Sequence, residues 1–165
     1  MSCALTLSGI PLDCRDSVGG ISAIWIGNSA TKSTLTEAGG KITAISTPTN
    51  FKLYELRRET ASFTETLNNS DENGTLFYSQ ELSFYLSKLQ SSKRNEIVLL
   101  AKDDVLVIIK DTNGTKWLLG RENGMQLAGT SVTGTAFGDR SGYELTFSGN
   151  EREPAIEVTQ ALTGE

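Results

Sequence analysis

The chain of 165 residues contains no histidine. That absence removes Ser-His-Asp and Cys-His nucleophile arrangements, histidine-ligated zinc and histidine general bases together. Cysteine is scarce: the two thiols, Cys3 and Cys14, stand ten residues apart. The spacing allows a hairpin disulfide or two reduced, part-buried thiols, and reduced thiols are the expectation for a cytoplasmic product. No apolar run approaches the roughly 20 residues that a membrane helix needs. The first residues have neither a basic region nor an apolar core, so no secretory signal is expected. The Asn-X-Ser/Thr triplets at Asn68, Asn73 and Asn113 then read as chance matches. Positive charge is also short, with 15 lysines and arginines against 20 acids and a net charge of −5. A protein that grips nucleic acid needs cations to neutralise phosphates. A surface past which nucleic acid merely slides has no such need.

Glycine is abundant where proline is not, 16 against 3, which points to many turns between short strands. The most informative stretch runs from Gly74 to Gly124. Leu76, Tyr78, Leu82, Phe84 and Leu86 recur at every second place, which predicts a strand over 75–88 with one buried and one wet face. Ser91-Ser92 offers an N-cap, and 93–102 places Ile97, Leu100 and Ala101 at helical spacing for packing on a sheet. A helix with one such stripe cannot stand alone. Val105 to Ile109 reads as a strand ending at Asp111-Thr-Asn-Gly114, and Trp117-Leu-Leu-Gly120 follows.

Earlier in the chain, 4–7 reads as a first strand or arm, 21–26 and 41–46 as strands, and 28–40 as a long loop or hairpin tip. A strand is expected over 51–58, apolar on both faces. The polar 59–72 reads as a strand end followed by a mobile connection. Later, 125–128 and 130–137 are separate segments, 138–142 is a turn, and 143–147 directs Tyr143, Leu145 and Phe147 inward. Pro154 assigns 154–158 to a sheet edge, because proline lacks an N–H for the ladder. The last residues are polar and expected to be loose. The sum is eight to ten strands and one helix in one domain over 1–165. The fold class is mostly β, a β-barrel or sandwich with one flanking α-helix.

Little in the chain points to catalysis. The Asn-Gly pairs at 73, 113 and 123 suit type I′ turns. Asp103, Asp104 and Asp111 read as solvated turn residues, and the calcium-loop spacing is absent. Gly19-Gly20 and Gly138 with Gly142 lack the Gly-Lys-Ser/Thr of a phosphate cradle. Trp25 and Trp117 could form a sugar platform, but each sits in an apolar run that favours core or interface packing. No metal, cofactor or enzyme activity is expected.

The order of segments resembles bacteriophage tail tube proteins. It is carried by Phe77-Tyr-Ser-Gln-Glu-Leu-Ser-Phe-Tyr-Leu86, the helix through Leu99-Leu-Ala101, Val107-Ile-Ile-Lys-Asp-Thr-Asn-Gly114, Trp117-Leu-Leu-Gly120 and Gly124. Towards the end come Thr133-Gly-Thr-Ala136, Gly138-Asp139, Ser141-Gly-Tyr-Glu-Leu-Thr-Phe147, Gly149, Glu151 and Pro154-Ala155, and near the start Cys14-Arg-Asp-Ser-Val-Gly-Gly-Ile21. The likeness covers most of the chain and rests on segment order and turn residues.

The resemblance implies a virion structural protein, assembled in the host cytoplasm. Its hexameric rings stack into a hollow tail tube, strands from six subunits line the bore, and a long loop or arm reaches the next ring. DNA transits the lumen without specific binding. Partners would be further copies, a tape measure, a terminator and, in a contractile tail, a sheath, with no membrane. On that reading Glu55, Glu59 and Glu65 of one strand and Ser79, Glu81 and Ser83 of another face the bore or, equally, bulk water. Ring-to-ring contact falls to 28–40 (Asn28, Ser29, Thr34) or 68–73 (Asn69, Asp71). Alternatives are another ring-forming tail or connector protein, such as a terminator or contractile injection tube, and an unrelated β-sandwich ligand-binding module.

Overall fold

Alternating apolar residues and β-branched runs give this chain its two sheets. The computed structural model describes residues 7–165 and, at Ser33, the backbone alone. In chain order the strands are β1 (Ile21–Asn28), β2 (Leu35–Ala38), β3 (Lys41–Ile45), β4 (Lys52–Tyr54), β5 (Ala61–Ser70) and β6 (Thr75–Ser87). The helix α1 (Ser91–Leu100) is followed by β7 (Val105–Asp111), β8 (Lys116–Leu119), β9 (Gln126–Val132), β10 (Gly142–Glu151) and β11 (Ile156–Val158). A seven-stranded sheet has the order β2-β3-β11-β8-β7-β1-β4, and a four-stranded sheet has the order β5-β6-β10-β9. The molecule is thus mostly β with one α-helix among the described residues.

The large sheet is apolar on both faces. Along β7, Val105, Val107 and Ile109 join Leu82, Phe84, Leu145 and Phe147 of the small sheet in one core. Leu106 and Ile108, of opposite parity, join Trp25, Ile42, Phe51 and Leu118 in a second core behind it. A strand buried on both sides reads as an unbroken apolar run rather than an alternating one. The Phe84 and Phe147 rings stack across β6 and β10 with centroids 5.9 Å apart. Phe51 lies across Gly27, where any Cβ would come within 2.8 Å of its ring. This packing turns the chain, and only Lys52–Tyr54 of the expected 51–58 strand pairs with β1.

Several expectations are revised. The polar 59–72 contains β5, whose ten residues pair with β6 from Ala61↔Phe84 to Ser70↔Thr75. The expected loop over 28–40 holds a 3-10 turn at Ser29–Thr34 and then β2, joined to β3 by Gly39-Gly40 with φ of +61° and +75°. Those two glycines take the left-handed conformations that a two-residue hairpin needs. At the three Asn-Gly pairs only Gly74, Gly114 and Gly124 have positive φ, so the turns there are not type I′. The segments expected at 125–128 and 130–137 form one strand, β9, which ends at Val132.

β11 is not an edge strand. It begins two residues after Pro154 and lies between β3, which it joins in parallel, and β8. The last residues are tied down as well. Leu162 is buried, the Trp25 indole N–H donates to the Thr163 carbonyl at 3.0 Å, and Glu165 accepts from Lys110 at 2.9 Å and Lys116 at 2.8 Å. The two ammonium groups, Lys116 first, lower the Glu165 carboxyl to about 2.

The N-cap of α1 is Gln90, not Ser91 or Ser92, and no side chain caps it. Ile97 and Leu100 are half-buried against the main core, whereas Ala101 is exposed and follows the helix as its C-cap. The Tyr54 hydroxyl donates to Glu96 Oε1 at 2.6 Å and ties β4 to the helix. Burial first, and then the Glu96 carboxylate, push the phenol above its ordinary range. Of the expected arm or strand over 4–7, residues 4–6 lie outside the described residues, as does Cys3. Leu7 is exposed and in no strand, and Cys14 is a free, exposed thiol.

Candidate functional site

Strand parity divides the small sheet sharply. In β6 the even positions from Tyr78 to Leu86 turn towards the large sheet, and the odd positions turn away. The register carries Ser62, Thr64, Thr66 and Asn68 of β5 onto that outer side, beside Ser83, Glu81, Ser79 and Phe77. From β10 come Glu144, Thr146, Ser148 and Asn150, and from β9 come Gln126, Ala128, Thr130 and Val132. The result is a face made largely of small hydroxyl and amide side chains, with Phe77, Tyr85 and Val132 also on it, whose strand residues include only two charged groups, Glu81 and Glu144.

Short polar links run across this face. Asn68 Nδ2 donates to Ser79 Oγ at 2.8 Å, and Ser79 Oγ donates to Asn150 Oδ1 at 2.9 Å. Ser83 Oγ and Thr146 Oγ1 are 3.2 Å apart. At one end the Arg140 guanidinium lies 4.8 Å over the Tyr85 ring and 3.2 Å from Glu144. Within the subunit both outer strands, β5 and β9, are paired on one side only.

Ser79, Glu81 and Ser83 share this outer face. Glu65 does not: it is in phase with Phe63 and points towards the large sheet. There its Oε2 accepts from Gln80 Nε2 and from the Ala155 backbone N–H, each at 2.8 Å. Glu55 and Glu59 lie in the exposed connection before β5 rather than on one strand with Glu65, and Glu59 has a φ of +59°. Sequence reasoning put all three on a single strand because it ran the 51–58 strand on into 59–72 and foresaw no separate strand starting at Ala61. Asn28 closes β1 and caps the 3-10 turn by accepting from Ala30 N at 2.8 Å, with Ser29 and Thr34 in that turn. Asn69 is exposed near the end of β5 and Asp71 is in the turn that joins β5 to β6, so the two groups occupy different projections. Next to that turn, Leu67 and Leu76 are exposed.

Sequence reasoning missed Gln80. It is in phase with the apolar positions of β6 and is buried, linking the layers by donating to Glu65 and accepting from the Gly120 N–H at 3.0 Å. The signal was one amide inside an otherwise apolar alternation.

A second feature lies beneath β5, a cleft of about 430 Å³ between the sheets. Its walls include Ile21, Ala61, Phe63, Ile109, Trp117 and Ala155, with Glu65 and Asp111 as its carboxylates. Among the described residues no three histidine, cysteine, aspartate or glutamate side chains come together as a metal site. No helix among them is long and apolar enough to cross a membrane. Comparison of the chain with family models, curated proteins and solved structures finds no match.

Proposed function

We propose that the chain is the structural subunit of a bacteriophage tail tube, a virion protein whose hexameric rings stack around a lumen that DNA crosses. The observation that carries the reading is the outer face of the small sheet. It is a broad, hydroxyl-rich β surface, left open in one subunit and bounded by two half-paired edges. Such edges are a liability in a lone molecule and an asset in a ring, where β5 of one copy completes β9 of the next. Since β9 runs antiparallel to β5, a cyclic arrangement joins them as a regular antiparallel ladder.

Six copies would give a bore wide enough for DNA. Four strands from each of six subunits make a barrel that, at about 4.8 Å per strand and about 40° of tilt, spans roughly 50 Å between backbones. Side chains as short as serine and threonine leave a hole wider than a DNA duplex. Glu81, with Glu144 offset by Arg140, gives that wall a weak negative charge, which repels phosphate and keeps DNA from adhering. The projecting turn after β5, with Asn69 and Asp71, and the 3-10 segment with Asn28, Ser29 and Thr34 serve as contacts between rings. Other tail proteins, the tape measure and terminator among them, are its further partners.

Negative-stain microscopy of the purified protein tests the class: rings of six or long hollow rods are expected, and a lasting monomer at high concentration rules it out. A different ring-forming tail or connector piece would share these surfaces, and copy number in purified particles separates them, since a tube protein is among the most abundant. The cleft with its half-buried Trp117 favours one further reading, a ligand-binding module. Quenching of indole fluorescence by an added carbohydrate or peptide, without assembly, would select it.

A further inference from the structure

The turn between β9 and β10, residues 133–141, carries an exposed phenylalanine at its middle. Phe137 is fully exposed, and it is the most exposed of the large apolar side chains among the described residues. The turn that carries it is nonetheless well built. Asp139 Oδ2 accepts from the backbone N–H groups of Thr135 and Ala136, each at 2.8 Å, and from the Thr135 hydroxyl at 3.2 Å. These bonds hold the Asp139 carboxyl below its usual range. Gly134 has a φ of +66°, and a Cβ there would fall 2.3 Å from the Asp139 side chain. A phenyl ring held out on a turn that is already ordered meets a small entropy cost when it docks.

The topology says what it can meet. Gly142 pairs with Ser87 and Ala61 pairs with Phe84, so the 133–141 turn and the start of β5 lie at the same end of the small sheet. They sit at opposite edges of it. Rotation about a ring axis brings the β9 edge of one copy against the β5 edge of the next, and strand tilt slides the two along each other, so the turn of one copy meets the end of its neighbour at which β5 begins. Under that strand is the apolar cleft walled by Ala61, Phe63 and Trp117, and its volume of about 430 Å³ accepts a phenyl ring. Glu65 and Asp111 line the same cleft, and carboxylates suit the positive edge of an aromatic ring. A knob on one edge and a hole on the other form the complementary pair that a closed heterologous ring requires.

We infer that Phe137 of one copy inserts into the Ala61–Phe63–Trp117 cleft of its neighbour and locks the subunits side by side. The inference rests on the ring reading and names a contact which that reading leaves open. Its test uses the full chain with Cys3→Ser and Cys14→Ser, to which Gly138→Cys, beside the retained Phe137, and Ala61→Cys are added. Mild oxidation is expected to yield a ladder of covalent oligomers on denaturing gels. In the otherwise unaltered chain, Phe137→Ser is expected to raise the concentration for half-assembly about tenfold or more, with the circular dichroism spectrum unchanged. Absence of the ladder, or assembly of Phe137→Ser at the original concentration, overturns the inference, even where microscopy shows rods. Oligomers that depend on Phe137 but enclose no bore would uphold the contact and remove the tube. Covalent closure within single chains, or filling of the cleft by residues 7–19 of the same copy, would give no ladder and counts against it.

Discussion

The two sheets of this molecule solve different problems. The seven-stranded sheet, though its edge strands β2 and β4 are paired on one side only, has both faces covered at its centre: β7 packs under the small sheet on one side and with Trp25, Phe51 and the closing segment with Leu162 on the other. The four-stranded sheet is finished on one face only. Its inner side holds Leu82, Phe84, Leu145 and Phe147, and its outer side holds mainly serine, threonine and amides, with Phe77, Tyr85, Glu81 and Glu144 among them. Stability should therefore reside on one side of each β6 and β10 strand and assembly on the other. Adjacent residues of a single strand can test that division.

The largest contrast is expected between Phe147 and its neighbour Thr146. Phe147→Ala removes a fully buried ring stacked on Phe84 and should cost about 3–5 kcal/mol. Thr146→Ala, on the outer face, should stay within about 0.5 kcal/mol. Urea denaturation of both variants measures the difference. Equal losses would mean that the outer face is covered inside the subunit. Gln80→Leu comes next. It leaves the Gly120 N–H without an acceptor and Glu65 without one of its two donors, at an expected cost of about 1–3 kcal/mol by the same assay. A neutral result would show that the two layers do not depend on this link.

A smaller effect separates the large sheet from its closing segment. The Glu165 carboxyl titrates near 2 in the folded protein and at its ordinary value of 4.5 when free. Its folded value is the lower one, so its contribution is complete above about pH 4.5 and fades as pH falls towards 2. Glu165→Gln should lose under about 1 kcal/mol at neutral pH and should flatten the acid limb of the stability profile. An unchanged acid limb would mean that Lys110 and Lys116 are satisfied without it.

The same division explains what the sequence made legible. β1, β6, β7 and β10 carry their burial in their own residues, as alternation in β6 and β10 or as an unbroken apolar run in β7; the first three were read close to their observed bounds, and β10 over its first half, 143–147 of Gly142–Glu151. β5 offered no such signal. Its outer positions are Ser62, Thr64, Thr66, Asn68 and Ser70, and its inner ones include Glu65 and an exposed Leu67. Pairing with β6 makes it a strand, and that cause is not local. Glu65 was therefore assigned to the wrong face. The closing segment was misread for a related reason, because Leu162, Thr163 and Glu165 find their partners at Trp25, Lys110 and Lys116, far back along the chain. Pro154 was informative as a breaker, but β11 starts beyond it and so could occupy an interior place.

The smallest expected change in stability belongs to Glu81→Lys. Glu81 is exposed on the outer face, between Thr64 and Ser148 in the register, and has no ion-pair partner among the described residues. Reversing its charge should move unfolding by no more than about 0.5 kcal/mol. In the proposed tube the same change repeats in every subunit of every ring and lines the wall with cations about 25 Å apart around each ring. Nucleic acid would then adhere through counterion release, with a steep dependence on salt. Virions carrying Glu81→Lys should assemble yet eject DNA slowly, and added salt should restore much of the rate. If ejection proceeds at the normal rate in low salt, the outer face does not line the channel, and the open side of the small sheet must serve another partner.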